Sequence, residues 1–216
     1  MKEAPFNVLF LIESLNIGGS EAFLERLLRR LDSRRFRPVV CCLIESGTLA
    51  EQVEARGIPV ITLEWRVGAV LSTLSVFFRL VRLMRRERIE LVQSFFYRPE
   101  ILGVFASRLA GVPVFIASQQ DVMLPAARLP RFLWRAASLF VNHVIANSRA
   151  CSLHRDKATF QRPRDVSVIH IGLFDEAPTD GRAAEGMAAA GGAVVVDGAA
   201  ADGAEAPTGT GTGGTG

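Results

Sequence analysis

Residues 6–31, FNVLFLIESLNIGGSEAFLERLLRRL, join a strand pattern to a helix pattern through two adjacent glycines. The first seven residues are an apolar run of strand length, unbroken from Val8 to Ile12, which is typical of a strand that is buried on both faces of a sheet. Apolar side chains then recur at helical spacing, at Phe23, Leu24, Leu27, Leu28 and Leu31. A buried strand that leads directly into a helix indicates a parallel sheet covered by helices.

The same alternation continues to about residue 172. Further strands are expected at 38–44, 58–65, 89–95, 112–118, 143–148 and 165–172. Helices are expected at 20–32, 46–57, 69–87, 98–111, 128–141 and 148–160. The second helix should start at Ser46 or Thr48 and stop at Gly57, whereas Pro130 obscures the start of the fifth. We therefore predict a doubly wound, mostly parallel, Rossmann-like α/β domain over residues 1–174, with helices on both faces of the sheet.

The remaining residues, 175–216, have a different composition. They contain no aromatic residue, 11 of the 19 glycines, seven acidic residues and one basic residue. Such a segment buries too little apolar surface to offset the entropy of ordering, so we expect a disordered Gly/Ala/Thr-rich tail. Without it, residues 1–174 carry a formal charge of +9. This charge fits an anionic partner, such as a phosphate-bearing ligand, nucleic acid or acidic lipid, and equally a solvated basic surface.

Several classes of protein find little support. Cys41, Cys42 and Cys151 show no disulfide framework and no zinc spacing, which predicts reduced core thiols and a cytosolic setting. The three histidines have no metal-ligand spacing, and neither a P-loop nor a nucleophile elbow occurs. The N-terminus lacks signal-peptide features, and no apolar run approaches the ~20 residues of a membrane span. We expect neither a metal nor a bound cofactor.

In doubly wound sheets, ligands bind beyond the carboxyl ends of the strands. The candidate segments are therefore 13–20, 44–48, 64–68, 94–98, 118–122, 147–149 and 171–174. In the first, Gly18 and Gly19 let backbone N–H groups approach an anion at a helix N-terminus, with Ser20 beside them. The alternative is a tight turn in which Ser20 is the helix N-cap. Classical dinucleotide binding is weakly supported, because the loop is not G-x-G-x-x-G.

Polar side chains that suit a sugar follow three other strands. They are Ser94, Tyr97 and Arg98; Gln119, Gln120 and Asp121; and Asn147 and Ser148. Their hydroxyl and amide groups can bond sugar hydroxyls, and an aromatic ring can cover the C–H side. The alternatives are that Phe95 and Phe96 are core with Arg98 in solvent, and that Ser148 is a helix N-cap.

Two helices carry arginines on one face. The first set is Arg79, Arg82 and Arg86, and the second is Arg128, Arg131 and Arg135. A basic face beside apolar residues can lie on anionic lipid. The same pattern is also produced by a domain helix that packs its apolar face into the core and leaves its arginines in water.

Five phrases in order resemble the N-terminal domain of family 4 retaining glycosyltransferases, which have the GT-B fold. They are LNIGGSEAFLERLLRRL, ESGTLAEQVEARGIPVITL, IELVQSFFYRPEILGVFASRLAGVPVFIAS, HVIANSRA and DVSVIHIGLFDE. The resemblance implies metal-free sugar transfer from a nucleotide-sugar co-substrate to an acceptor such as a lipid-linked or cell-envelope glycan. It implies that the loop at Gly18, Gly19 and Ser20 lies against the donor diphosphate, and that the first domain mostly holds the acceptor.

The sequence departs from the family pattern in two ways. The usual His-x-His strand end reads Gln93-Ser94-Phe95, and the resemblance stops near Phe174, before the donor-binding domain. We therefore expect a truncated or frame-shifted reading frame and little activity of this chain alone. The main alternative is a non-catalytic module that binds an acceptor, a membrane surface or a partner chain. We expect a cytoplasmic location, including peripheral contact with the inner face of the membrane if the arginine faces bind lipid, and no nucleic-acid partner.

Overall fold

The computed structural model describes residues 4–122, 125–160 and 165–170, which form seven strands and six helices. The strands are β1 (Phe6–Ile12), β2 (Phe36–Cys42), β3 (Val60–Thr62), β4 (Leu91–Phe95), β5 (Val114–Gln119), β6 (His143–Ala146) and β7 (Val166–Val168). The helices are α1 (Gly19–Arg30), α2 (Ala50–Glu54), α3 (Val70–Arg86), α4 (Tyr97–Ala110), α5 (Arg128–Ser138) and α6 (Arg149–Ala158). Each overlaps an element predicted from the sequence. The predicted tail, residues 175–216, lies outside the described residues.

All seven strands run parallel in one sheet, in the order β3-β2-β1-β4-β5-β6-β7. The chain moves outward from β1 to β3 and then crosses over to β4, on the other side of β1. The strand order therefore reverses between β1 and β4, and this reversal defines a doubly wound sheet. The predicted fold class is confirmed.

Successive residues of β1 point to opposite faces of the sheet, and each face has its own buried cluster. Leu9 and Leu11 belong to a cluster with residues of α3, α4 and α5. Val8, Phe10 and Ile12 belong to a second cluster with residues of α1 and α2. The alternation along β1 thus places helices on both faces, which is why the strand reads as one continuous apolar run.

Helix α2 is shorter than its sequence pattern indicates. It begins at Ala50, with Leu49 as N-cap, so the predicted start at Ser46 or Thr48 is wrong. The preceding residues instead pair with the chain that leaves β1: Ile44 N–H donates to Glu13 O at 2.8 Å, and Leu15 N–H to Ser46 O at 3.1 Å. Local propensity favoured a helix for these residues, but hydrogen bonds to the loop after β1 hold them in a non-helical conformation.

The predicted free thiols are confirmed, because Cys41, Cys42 and Cys151 are unpaired and buried. Within the described segments, none of the helices is both long and apolar enough to cross a membrane. In the same residues, no three metal-ligating side chains come together. His143 is engaged in the sheet, where its Nε2 lies 2.9 Å from Ser167 Oγ.

Candidate functional site

The reversal of strand order opens a crevice at the carboxyl edge of the sheet, between the ends of β1 and β4. The loop after β1 leads into α1, and the turn after β4 leads into α4. Both helices therefore start at this crevice and direct the positive ends of their dipoles toward it. We call the region formed by residues 13–21 and 94–98 the switch-point crevice.

Gly18 is the N-cap of α1, and no side chain in the described structure forms a cap hydrogen bond there. Ser20 lies within the first turn, so the expectation that it is the N-cap is wrong. The backbone of Gly18 is extended, with φ −160°, and a Cβ on Gly19 would meet nothing within 4 Å. Backbone strain does not require either glycine. Gly19 therefore leaves open space at the end of the helix, whereas the Glu21 carboxylate packs against Gly18.

The glycine loop is held from behind by the loop after β2. Leu49 N–H donates to Leu15 O at 2.9 Å, and Asn16 Nδ2 donates to Glu45 Oε1 at 2.6 Å. Gly47 has a left-handed backbone, with φ +78°, and its α-carbon lies against the Leu15–Asn16 peptide, where a Cβ would overlap backbone atoms. The shape of the glycine loop is therefore fixed mainly by backbone contacts.

An ion pair crosses the switch-point crevice. Arg98 Nη1 donates to Glu13 Oε2 at 3.1 Å and to Oε1 at 3.3 Å, and the two side chains keep 39% and 23% of their surface exposed. The Arg98 guanidinium also lies 5.1 Å from the centre of the Tyr97 ring. Sequence analysis singled out Tyr97 and Arg98 but not Glu13, although Glu13 stands at the end of β1, where an acid could have been noticed.

The turn that presents Arg98 has an unusual backbone. Phe96, the N-cap of α4, has φ 68° and ψ 162°, a region that is occupied almost only by glycine and that costs a residue with a side chain on the order of 1–3 kcal/mol. Phe95 is fully buried and Phe96 is half-buried. The alternative that both are core residues therefore holds for Phe95 and only in part for Phe96. Strain of this kind clusters at functional sites.

The end of β5 is organised by Arg155 and Glu100, two residues that the sequence pattern did not indicate. Gln119 accepts a hydrogen bond from Arg155 Nη1 at 3.1 Å and donates through Nε2 to the backbone oxygen of Asp121. Arg155 in turn binds both carboxylate oxygens of Glu100. No local pattern indicated this cluster, because its members are separated by up to 55 residues.

The other predicted polar residues also lie at the carboxyl edge. Asn147 Nδ2 donates to Gln120 O at 2.8 Å, and Ser148 caps α6 by accepting from Cys151 N–H at 3.3 Å, which confirms its alternative as an N-cap. Ser94 is 1% exposed. Among the described residues, the buried Ser94 Oγ, Gln120 Oε1 and Asn147 Oδ1 have no hydrogen-bond partner. Because these oxygens are shielded from solvent, a ligand hydroxyl or a water molecule would reach them only after a local rearrangement.

The arginines of α3 are not equivalent. Arg79 directs its guanidinium back to the domain and donates to Leu63 O at 2.8 Å. Arg86 is exposed on the helix surface beside Glu87, and Arg82 is exposed as well. An exposed apolar row precedes them on the same face; we call it the α3 apolar stripe. It consists of Val70, Leu71, Leu74 and Phe78, and the exposed Val67 lies three residues before the helix begins.

The arginines of α5 differ in the same way. Arg131 donates to Pro125 O at 3.1 and 3.2 Å, and Arg135 stacks over the Phe160 ring at 4.5 Å. Arg128 is exposed at the start of the helix. Pro130 lies in the first turn, where its missing N–H is not needed. Leu129 and Phe132 are also exposed on this helix.

A cavity of about 970 Å³ opens at the opposite, amino edge of the sheet. Its lining includes Arg29, Arg37, Arg56 and Glu87. Two of these arginines already share the buried carboxylate of Glu25, at 2.7 and 3.6 Å. The cavity lies beside the C-terminal ends of α1 and α3, whose dipoles disfavour an anion, so we place the candidate site at the carboxyl edge.

The buried thiols are poor candidates for chemistry. Burial raises the pKa of Cys42 to about 12. Burial, followed by the neighbouring Cys42 thiol, also raises the pKa of Cys41, and Arg79 opposes this only in part. Since the thiolate is the nucleophile and the metal ligand, both cysteines are inert at neutral pH.

Comparison with known proteins adds a family and a set of related folds. A sequence profile described as Glycosyltransferase Family 4 matches residues 17–174. No curated protein matches the chain significantly in sequence. Among solved structures, Anabaena HepE in complex with UDP superposes with a TM-score of 0.64 at 22% identity, over 80% of this chain and 47% of HepE.

Two further solved structures are similar. A glycosyltransferase from Rickettsia africae has a TM-score of 0.62 at 14% identity, over 78% of this chain and 44% of its own. The lipopolysaccharide outer core galactosyltransferase WaaB has a TM-score of 0.61 at 9% identity, over 80% and 47%. At these identities the likeness shows the fold, and the chain spans less than half the length of each of these proteins.

Proposed function

The chain belongs to glycosyltransferase family 4, and we propose that residues 1–174 form the acceptor-side, N-terminal domain of a retaining glycosyltransferase with the GT-B fold. Such an enzyme transfers a sugar from a nucleotide-sugar to an acceptor. The observation that supports this most directly is the switch-point crevice. Two helices without side-chain caps begin there, and the half-exposed guanidinium of Arg98 lies between the strand ends.

This arrangement suits an anionic group such as a diphosphate. A helix N-terminus carries about half a positive charge, and a guanidinium adds geometric selectivity for phosphate oxygens. Gly19 leaves room for close approach. The carboxylate of Glu21 packs against Gly18 at the same helix end. An incoming phosphate therefore has to displace this carboxylate or bind beside its negative charge.

The acceptor is expected on the other side of the crevice, along the ends of β4, β5 and β6. The Tyr97 ring offers an aromatic face, and Gln120 and Asn147 carry unpaired side-chain oxygens, which are buried and would become hydrogen-bond acceptors for a ligand after a local rearrangement. A glycan presents C–H faces and hydroxyl groups that match these two features. We propose a lipid-linked or cell-envelope glycan as the acceptor, a choice that the resemblance of the fold to WaaB supports.

Transfer depends on holding the donor while charge develops on its leaving group. The described residues supply one wall of that site, and the chain covers 47% of the length of HepE. We therefore expect weak donor binding and little or no turnover by these 216 residues alone. Measured sugar transfer by the isolated chain would contradict this expectation.

Donor contact can be tested with UDP and UDP-glucose by saturation-transfer NMR. We expect weak binding by the wild-type chain and its loss in Gly19→Val, because the new side chain enters the open space at the helix end. Gly19→Val should leave the unfolding temperature unchanged, since a Cβ there meets nothing within 4 Å. Glu21→Gln should strengthen binding by removing a negative charge at the same place.

The matched control is Ala55→Val, which adds a branched side chain at an exposed position near the amino edge of the sheet. It should bind like the wild-type chain. The proposal fails if the wild-type chain shows no saturation transfer to either nucleotide, or if Gly19→Val transfers as strongly as the control.

We also propose peripheral contact with an anionic membrane through α3, at the inner, cytoplasmic face. Leu71 is 83% exposed, Val70 72% and Phe78 60%, which is unusual for adjacent apolar side chains on one helix face. Arg82 and Arg86 continue the same face at four-residue spacing. Apolar insertion combined with basic side chains is the pattern of an interfacial helix.

Vesicle flotation tests this contact. Leu71→Ser and Phe78→Ser together should reduce binding to vesicles that contain phosphatidylglycerol, with little effect on unfolding. Leu153→Ser removes from α6 a leucine that is as exposed as Phe78, and it should have no effect. Binding should also fall as salt is raised. Equal binding to neutral phosphatidylcholine vesicles would rule out an electrostatic contribution.

A further inference from the structure

Arg155 on α6 is a fully buried arginine at the back of the candidate acceptor side. Its relative exposure is 0%, and that of its partner Glu100 is 3%. The guanidinium binds the carboxylate in a bidentate manner, with Nη2 2.7 Å from Oε1 and Nη1 2.9 Å from Oε2. Nη1 also donates to Gln119 Oε1. A single side chain therefore ties together α6, the first turn of α4 and the end of β5.

The network extends from this centre to the crevice by two routes. Through Gln119, whose amide donates to Asp121 O, it reaches the loop that follows β5. Through Trp134 of α5, which lies 5.6 Å from the guanidinium, it reaches the Tyr97 ring at 6.5 Å. Tyr97 in turn contacts Arg98.

Stability alone does not account for an ion pair at this place. Removing two charges from water is costly, and well-packed apolar residues in place of a buried pair are often neutral or stabilising. A planar guanidinium fork, however, fixes the direction of three acceptors at once, which neither an apolar side chain nor a lysine can do. The orientation of the Gln119 amide depends on that fork, because its oxygen faces Arg155 and its nitrogen faces Asp121.

We infer that Arg155 is a positioning residue, which acts with Glu100 to hold Tyr97 and the 119–121 loop in the geometry that receives the acceptor. The assignment of this side to an acceptor rests on the proposed function. The positioning itself is a statement about the folded chain and can be tested without a substrate.

The test separates positioning from stability with the double variant Glu100→Leu/Arg155→Met. Replacing both partners removes the network without leaving a buried unpaired charge, so the unfolding temperature should stay close to that of the wild-type chain. Arg155→Met alone should lower it markedly, because Glu100 then remains buried without its partner. Arg155→Lys should keep the charge and lose the fork.

Tyr97 is the single tyrosine of the chain, so 3-fluorotyrosine labelling gives one ¹⁹F resonance from the acceptor side. In the double variant we expect this resonance to shift or broaden, and amide exchange at residues 119–121 to accelerate at least tenfold. The control is Glu25→Leu/Arg29→Met, which removes the buried carboxylate and an arginine at the amino edge. It should leave both signals at their wild-type values.

Each outcome has a distinct meaning. A stable double variant with an unchanged Tyr97 resonance and unchanged exchange at 119–121 overturns the inference, and so does Arg155→Lys with wild-type signals. If the double variant does not fold, the Tyr97 resonance and the exchange at residues 119–121 are measured in Arg155→Lys instead, and the same criteria apply. UDP-glucose binding, followed by saturation transfer, should be retained in the double variant, because the glycine loop is braced separately and Arg98 keeps its own ion pair with Glu13. Absence of this binding in the wild-type chain counts against the proposed function and leaves the assignment of Arg155 to be decided by the two structural signals.

Discussion

Gly47→Ala should destabilise the fold far more than the same substitution at Gly57. Both glycines have a left-handed backbone, with φ +78° and +77°, which costs a residue with a Cβ about 1–2 kcal/mol. They differ in their surroundings. A Cβ on Gly57 meets nothing within 4 Å, whereas a Cβ on Gly47 overlaps the Leu15 carbonyl group and the Asn16 nitrogen.

The difference between the two variants measures the contact between the loops. Backbone atoms cannot rotate away, so the loops after β1 and β2 must separate. Their separation disrupts two hydrogen bonds, from Leu15 N–H to Ser46 O and from Leu49 N–H to Leu15 O, each worth about 1 kcal/mol. We expect a loss of about 1–2 kcal/mol for Gly57→Ala and about 3–4 kcal/mol for Gly47→Ala. The smaller entropy of the unfolded alanine chain offsets both by about 0.4–1 kcal/mol and cancels in the comparison.

Urea unfolding followed by fluorescence or circular dichroism gives both free energies, provided that the slope of the transition is the same in the two variants. Equal losses at the two positions would refute the reasoning, because they would mean that the loops do not pack as described. Gly47→Ala should in addition weaken UDP binding, since the glycine loop can no longer hold its position.

Two further predictions concern charge. Burial raises the pKa of Cys42 to about 12, so the unfolded chain releases a proton near pH 9 that the folded chain retains. The unfolding free energy should therefore fall by about 1.4 kcal/mol per pH unit between pH 9 and about 12 for this thiol. Cys42→Ala should show a shallower fall in pH-dependent urea unfolding. Glu13→Gln should change stability by less than about 1 kcal/mol, because the pair with Arg98 is partly exposed, yet it should alter nucleotide binding in saturation-transfer NMR; unchanged binding would exclude this pair from the site.

The sequence was sufficient to predict the sheet and its helices. The strands are rich in apolar residues, and the helices between them have an apolar period of their own, so the elements are encoded locally. Where local propensity competed with a tertiary contact, it failed. Ser46 and Thr48 are good helix-starting residues, but Ser46 O instead accepts from Leu15 N–H, and α2 begins only at Ala50.

The candidate site was predictable only in part, because the sequence reveals local patterns but not contacts between residues that are far apart in the chain. The carboxyl-end rule selected Tyr97, Arg98 and Gln119, because it needs only the strand ends, and the structure places all three at that edge of the sheet. It could not identify Arg155, whose helix is otherwise polar and whose partners lie 36 and 55 residues away. The roles of the selected residues in binding stay predictions.

The two sides of the crevice are built in different ways, and this has a consequence for mutagenesis. The glycine loop is fixed by backbone hydrogen bonds and by the close approach of Gly47, so side-chain substitutions near it should leave its shape intact. The candidate acceptor side is fixed by the side chains of Arg155, Glu100 and Trp134, so its shape should change with them. Variants of the buried network should therefore alter Tyr97 and leave nucleotide binding in place, whereas Gly47→Ala should do the reverse. Variants at either position that disturb both sides equally would show that the crevice behaves as one rigid unit.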